Sequence, residues 1–154
     1  MKRQYGFGMI AAIVVLVILA TLAAAIVAIG NTQQITTAQD VLSTRAWQAA
    51  RAGNEWGLYL ALNKQDWVGA STPCNTAART ATLDLTADTG FQVTVSCDSW
   101  SYNEGESVPG VPQAVRIYRI TAVACPVAPC PSTNATLVSG LGYVERRRVV
   151  LATD

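Results

Sequence analysis

The sequence predicts an α+β chain: a long N-terminal hydrophobic and then amphipathic helix packed on a small antiparallel sheet. Three observations lead there. No Asp, Glu, Lys or Arg occurs between Arg3 and Asp40. The segment that follows keeps apolar and small residues at helical spacing as far as Leu60. The second half alternates apolar and polar residues with period two, broken by Gly, Pro and Asp. The 154 residues are 51% apolar and only 14% charged, well under the usual quarter, and the deficit sits at one end. A disordered chain is not this apolar. The lack of any His removes Ser-His-Asp and Cys-His catalysis and every His metal ligand. A formal net charge of +1 gives no bulk attraction to nucleic acid.

The first element runs from Phe7 to Ile29, 23 residues of mostly Ala, Ile, Val and Leu. As a helix it reaches roughly 35 Å, enough for a bilayer core of about 30 Å. Lys2 and Arg3 ahead of it place the N-terminus on the cytoplasmic side and export the remainder. An ordinary secretory signal has a shorter apolar region and a small-residue cleavage site, which Gly30-Asn31-Thr32 matches poorly. A plain signal anchor explains the apolarity equally well.

From residue 32 to 62 the helical period persists. Ile35, Ala38, Leu42, Ala46, Ala49, Gly53, Trp56 and Leu60 are spaced close to 3.6 apart, with Asp40, Arg51 and Glu55 on the other side. The membrane helix is therefore expected to continue, bent near Gly30, as an amphipathic helix. Small side chains at Ala46, Ala49 and Gly53 let a sheet approach, and Trp56 adds bulk at the far end.

Four short strands follow. Leu83 and Leu85 alternate with Thr82, Asp84 and Thr86, and Phe91, Val93, Val95 and Cys97 alternate with Gln92, Thr94 and Ser96. Ala87-Asp88-Thr89-Gly90 between them has turn chemistry, so these two form a hairpin. A third strand is expected from about Ala114 to Ala124 and a fourth from Gly142 to Ala152, both rich in Val, Ile and Tyr. Residues 103–112 and 126–140 read as surface loops, the second holding three of the six prolines. Cys74, Cys97, Cys125 and Cys130 all lie beyond the apolar segment. An even number in a small exported domain reads as two disulfides. Four cysteines allow three connectivities; the expected one is Cys74–Cys97 with Cys125–Cys130, the latter closing the Pro-rich turn. Cys-x₂-Cys pairs are missing, which argues against a zinc site and against redox catalysis, and no metal or other cofactor is expected.

Three further signals have structural readings or match by chance. Arg146 and Arg148 point one way on the last strand and Arg147 the other, with Arg116 and Arg119 as candidates to lie across from them. The favoured reading is a solvated edge that discourages strand pairing, with no nucleic acid expected. Asn134-Ala135-Thr136 matches a glycosylation acceptor by chance. Asp98, Glu104 and Glu106 fit no calcium-loop spacing.

The N-terminal pattern Lys2-Arg3-Gln4-Tyr5-Gly6-Phe7, a basic leader ending in Gly before an apolar run opened by Phe, resembles the type IV prepilin class, which includes the pseudopilins of type II secretion. The resemblance implies cleavage after Gly6 by a membrane-embedded prepilin peptidase and N-methylation of Phe7. Removal of six residues leaves nine basic and ten acidic residues, formally −1. Members of the class carry Glu as the fifth mature residue, where this chain has Ala11. A lone buried charge costs several kcal/mol unless paired. A subunit with no neighbour above it has no amine to pair with that Glu, so the loss suits a position at or near a filament tip. A second stretch, Ala46-Trp47-Gln48-Ala49-Ala50-Arg51-Ala52-Gly53-Asn54-Glu55-Trp56-Gly57-Leu58-Tyr59, is similar to a segment of the MshP- and PilX-type minor pilins of mannose-sensitive haemagglutinin (MSHA) and related type IV pili. That resemblance extends to the missing Glu, the paired cysteines and a closing Tyr143-Val144-Glu145-Arg146 strand.

The resemblance implies a leader at 1–6, a membrane and filament-core helix at 7–30, its amphipathic continuation at 31–62 and a disulfide-containing sheet domain at 63–154. It implies no catalysis. The partners would be other major and minor pilins, the prepilin peptidase, the inner-membrane assembly platform and membrane lipid. The location would be the inner membrane with the sheet domain in the periplasm, and later the pilus. Two rivals stand beside it. Tip pseudopilins of type II secretion also lack the Glu but usually carry a large extra domain. A signal-anchored periplasmic binding or enzymatic protein explains the anchor alone.

Overall fold

The computed structural model describes residues 6–67 and 72–154, apart from the side chains of residues 6, 7, 29, 31 and 32. The elements are α1 (Gly6–Leu62), β1 (Arg79–Leu85), a single turn α2 (Thr86–Thr89), β2 (Phe91–Val108), β3 (Val111–Cys125), a second single turn α3 (Ala135–Val138) and β4 (Arg146–Thr153). This is the α+β arrangement expected from the sequence. The chain divides into two compact units, Met1–Asp40 and Val41–Asp154.

The described part of the first unit is helix throughout, including position 30, so no break accompanies Gly30. Its side chains are apolar all round: Met9, Ile10, Leu16, Leu22 and Ile26 are each more than half exposed. A helix apolar on every side has no core to face and is suited to lipid. From Gly8 to Ala28 it measures roughly 32 Å, the thickness of a hydrocarbon core. It is long and apolar enough to cross a membrane and is a candidate anchor. Its one hydroxyl in that stretch, Thr21, donates to the Ile18 carbonyl at 2.9 Å, so no side-chain donor is left bare in an apolar medium.

In the second unit, residues 41–62 of α1 lie on one face of a four-stranded antiparallel sheet in the order β1-β2-β3-β4. Ala81, Phe91, Val93, Val95, Ile120, Ala122 and Ala124 face the helix and are buried with Ala46, Ala49 and Leu60. The other face carries Thr82, Thr94, Ser96, Arg119, Val149 and Leu151, which follow from the alternation of the register. The hairpin from β1 to β2 turns through α2. Gly90 closes it with φ of 83°, a left-handed conformation that Gly takes without the clash a Cβ brings.

The structure corrects the expected strand limits. Residues 103–112 are not a loop. β2 and β3 continue as a two-stranded ribbon in which Asn103 pairs with Ala114, Glu106 with Pro112 and Val108 with Val111, with irregularities between them. Gly105 and Gly110 take positive φ there, and the Gly110 N–H donates to the Glu106 carboxylate at 2.8 Å. A ribbon with both edges free has room for bulges and for a Pro that lacks a donor, so loop-like composition and strand pairing coexist. The fourth strand starts at Arg146, not Gly142. Tyr143, Val144 and Glu145 lie outside it, and the Tyr143 hydroxyl donates to the Glu145 carboxylate at 2.8 Å. Within 126–140, Asn134 caps α3 by accepting from the Thr136 N–H at 3.0 Å and its hydroxyl at 2.6 Å. The Asn-Ala-Thr motif thus has a local structural use.

Candidate functional site

The features that bear on function are the apolar section of α1 and the surface on which its later section meets the sheet. Gly6 and Phe7 are the first residues of α1, and residues 1–5 of the expected leader lie outside the described residues. Ala11 is in the helix and exposed.

The helix–sheet surface is built from small residues because the two backbones come close. Ala46 and Ala49 are fully buried, and Gly53 is buried too. A Cβ placed on Gly53 would stand 2.6 Å from Val93 Cγ1, with Val95 and Ala122 at 3.1 and 3.2 Å. Trp56 is only half-buried and meets Trp67 edge to face at 5.1 Å between ring centres, a favoured aromatic geometry. Five contributors lie off the Ala46–Gly53 stripe: Ala50, Asn54 and Gly57, within the Ala46–Tyr59 stretch expected to form the helix–sheet interface, and then Ala61 and Trp67 beyond it, all buried. The first four form a second row beside the Ala46–Gly53 row, at the spacing of 4, 3 and 4 that one helix face supplies. A flat sheet covers two adjacent rows, and the single stripe read from the sequence had named only one. Trp67, 2% exposed, follows the helix in an irregular segment and has no periodic signal to reveal it.

Two disulfides tie the unit. Cys74 is bonded to Cys97 and Cys125 to Cys130. The first fixes the segment after α1 to the helix-facing side of β2. Ser99 reinforces it by donating to the Cys74 carbonyl at 3.0 Å and accepting from Arg116 at 3.3 Å. The second folds the Pro-rich turn back on the sheet, where the Thr94 hydroxyl donates to the Cys130 carbonyl at 2.5 Å.

The arginines do not gather into one strip. Arg148 pairs across β3 with Ala122, and Arg119 with Leu151. Arg146 donates to the Ser43 hydroxyl on α1 at 2.6 Å, and the Arg148 guanidinium stacks on Trp47 at 4.4 Å. These two arginines clamp the last strand to the helix, a cation–π contact included, so they are not the freely solvated edge that alternation alone suggested. On the opposite face Arg119 pairs with Asp98 at 2.8 Å and stacks on Trp100 at 4.8 Å. Near the chain's last residue, Asp154 accepts from Lys64 and from the Tyr118 hydroxyl, each at 3.3 Å. Burial raises the Tyr118 phenol above its ordinary value, and the Asp154 charge adds to this. Burial and the bond to Glu145 do the same for Tyr143. Among the described residues no group of three His, Cys, Asp or Glu side chains converges to hold a metal ion.

No protein-family model, curated protein or solved structure matches this chain.

Proposed function

We propose that the chain is a pilin-like membrane subunit, a minor pilin that takes part in assembly, priming or the tip of a type IV pilus of the MSHA type. The observation that carries this reading is the double nature of α1: one helical element is apolar on all sides for a bilayer's thickness and then small-faced against a disulfide-tied antiparallel sheet. An anchor alone needs the first property only. A subunit that must leave the bilayer for a filament uses the second, because its sheet domain has to be held rigidly to the helix that moves. The Gly6–Phe7 junction at the head of α1 supplies the processing point.

In this mechanism the helix holds the subunit in the inner membrane with its N-terminus inside and its sheet domain in the periplasm. Prepilin peptidase removes residues 1–6 and methylates Phe7. The apolar side chains of α1 then exchange lipid for the helices of other pilins at the assembly platform. Lipid tails are as apolar as Leu, so this exchange depends on close packing and not on dehydration. Small side chains at Ala11, Ala12, Ala23, Ala24 and Ala25 allow such approach at several points along and around the helix. Ala11 carries no charge that needs a neighbour's amine, which suits a position at or near the tip. Catalysis plays no part in this account.

Mass spectrometry of the mature N-terminus from pilus-forming cells tests it. The expected species begins with N-methylated Phe7, and a Gly6→Leu variant keeps its leader. A chain that retains Met1, or that is trimmed equally well in the Gly6→Leu variant, overturns the proposal in favour of a plain signal anchor.

A further inference from the structure

We propose that the segment between β3 and β4 is a second membrane contact, an uncharged foot by which the sheet unit rests on the lipid surface beside the helix that anchors it. The inference rests on the reading of α1 as a membrane anchor and not on the filament reading.

The segment leaves the sheet at the end where α1 enters the unit. It starts after Cys125, which pairs with Gln92, and returns at Arg146, which pairs with Ala124 and donates to the Ser43 hydroxyl at 2.6 Å. Ser43 lies just inside the unit, which begins at Val41. In the chain, only residues 29–40 separate this point from the apolar section of α1 that ends at Ala28. At 1.5 Å per residue they span about 18 Å as helix, so a bilayer that holds the apolar section is within reach of this end of the sheet. The β2–β3 ribbon is at the other end. Asn103 pairs there with Ala114, roughly 33 Å along β3 from Ala124.

The segment has the chemistry of an interfacial element. No Asp, Glu, Lys or Arg occurs from Ile120 to Val144, the longest such gap outside the N-terminal one. At its tip Leu137, Val138 and Leu141 are 43, 41 and 74% exposed, and Leu141 is the most exposed large apolar side chain among the described residues. Single exposed apolar residues are ordinary, but a cluster of them on a chargeless tip marks a surface that is covered. The polar groups around the cluster are bonded within the segment. The N–H groups of Leu137, Val138, Ser139 and Gly140 donate to the carbonyls of Asn134, Ala135 and Leu137. The Thr136 N–H and hydroxyl both donate to the Asn134 side chain, and the Ser139 hydroxyl donates to the Thr136 carbonyl at 3.3 Å. A tip satisfied in this way gives up few hydrogen bonds when it leaves water. Tyr143 follows it, a residue type suited to the headgroup level.

A lipid surface asks for exposed apolar side chains, no charge and a place beside the bilayer, and the segment combines the three. Asp84 and Asp88 stand at the same end of the sheet but on β1 and the turn after it. They are two strand spacings away, about 10 Å, so the contact is confined to the β3–β4 side. Three side chains bind lipid weakly by themselves; tethering by α1 supplies the effective concentration that makes the contact persist.

The test uses the full chain in vesicles of phosphatidylcholine and phosphatidylglycerol. A single added cysteine, S139C at the tip or S107C on the ribbon, carries a bimane label. The native cysteines are all in disulfides and stay unlabelled. Lipids brominated on their acyl chains are expected to quench the S139C label at least threefold more than the S107C label. Adding L137S and L141S to the S139C chain is expected to lower its quenching to the S107C level, with tryptophan emission in unbrominated vesicles unchanged. Equal quenching at the two positions, or quenching at S139C indifferent to L137S and L141S, would overturn this inference alone, provided that the chain resists alkaline extraction from the vesicles. An S139C label shielded from water but not quenched by brominated lipid would place protein at the tip and overturn it as well. A chain released by alkaline extraction would overturn the anchor reading, and this inference with it.

Discussion

A single methyl group on Gly57 tests whether close backbone approach holds the helix on the sheet. In a Gly57→Ala variant the new Cβ would stand 2.7 Å from Ile120 Cγ2 and 2.9 Å from Val95 Cγ1, with the Trp67 ring at 3.5 Å. Val95 and Ile120 are fully buried and β-branched, so neither turns aside without leaving its preferred rotamer. Overpacking of this kind costs about 1–3 kcal/mol, and two simultaneous clashes place it in the upper half of that range. Against it stands the helix preference of Ala over Gly, about 0.8–1 kcal/mol. The steric term wins, leaving a net loss of about 1–2 kcal/mol. The compact unit Val41–Asp154 has 114 residues; if it unfolds as one, each kcal/mol lowers the midpoint by roughly 4 °C. The expected drop is therefore about 4–8 °C, read from tryptophan emission during heating in detergent with disulfides intact. Gly30→Ala is the control: its Cβ meets nothing within 4 Å and residue 30 lies outside that unit, so the midpoint should not move. A Gly57→Ala protein as stable as its parent would refute the claim that glycine is required there for lack of space.

Three other perturbations follow from the same geometry. Gly90→Ala meets no neighbouring atom but keeps a φ of 83°, so urea unfolding should show a loss of about 1–2 kcal/mol from left-handed backbone alone. Replacing both Cys74 and Cys97 by Ala releases a loop with a separation of 23, against 5 for Cys125 and Cys130. Chain-entropy reasoning gives about 3 and about 2 kcal/mol respectively, and equal or reversed losses in urea would count against it. Tyr118 and Tyr143 have phenol pKa values raised on folding, so the folded chain holds those protons more tightly than the unfolded one. Their contribution is complete below the unfolded phenol value of about 10 and is lost as pH rises through the folded value. Stability should thus fall above about pH 10, and less steeply in a Tyr118→Phe variant followed by the same emission signal.

What could be read from the sequence and what could not divide along a physical line. The helix was legible because lipid and a sheet each impose a period or a composition on it, and the first four core-facing positions of β2 were legible because one face is dry. Periodicity assigns a residue to a face, but it does not say what covers that face. Arg146 and Arg148 were correctly put on one side of β4, yet their partners Ser43 and Trp47 lie about a hundred residues earlier. Only the return of β4 beside β3, under the helix, makes those contacts. The ribbon beyond Cys97 misled for the opposite reason. Both edges of a two-stranded ribbon are free, so nothing excludes the Gly, Pro and Asn that ordinarily end a strand, and local composition then says loop where the ladder continues. Trp67 had no period at all; it is buried edge to face against Trp56, with its ring beside Gly57. The same division bears on function. Packing selects for Ala46, Ala49, Gly53 and Gly57 whether or not the helix ever leaves a bilayer, so these residues explain a rigid joint and no more. The discriminating test is therefore chemical: processing at the Gly6–Phe7 junction at the head of α1 would mark a filament subunit, and an intact leader an anchored domain.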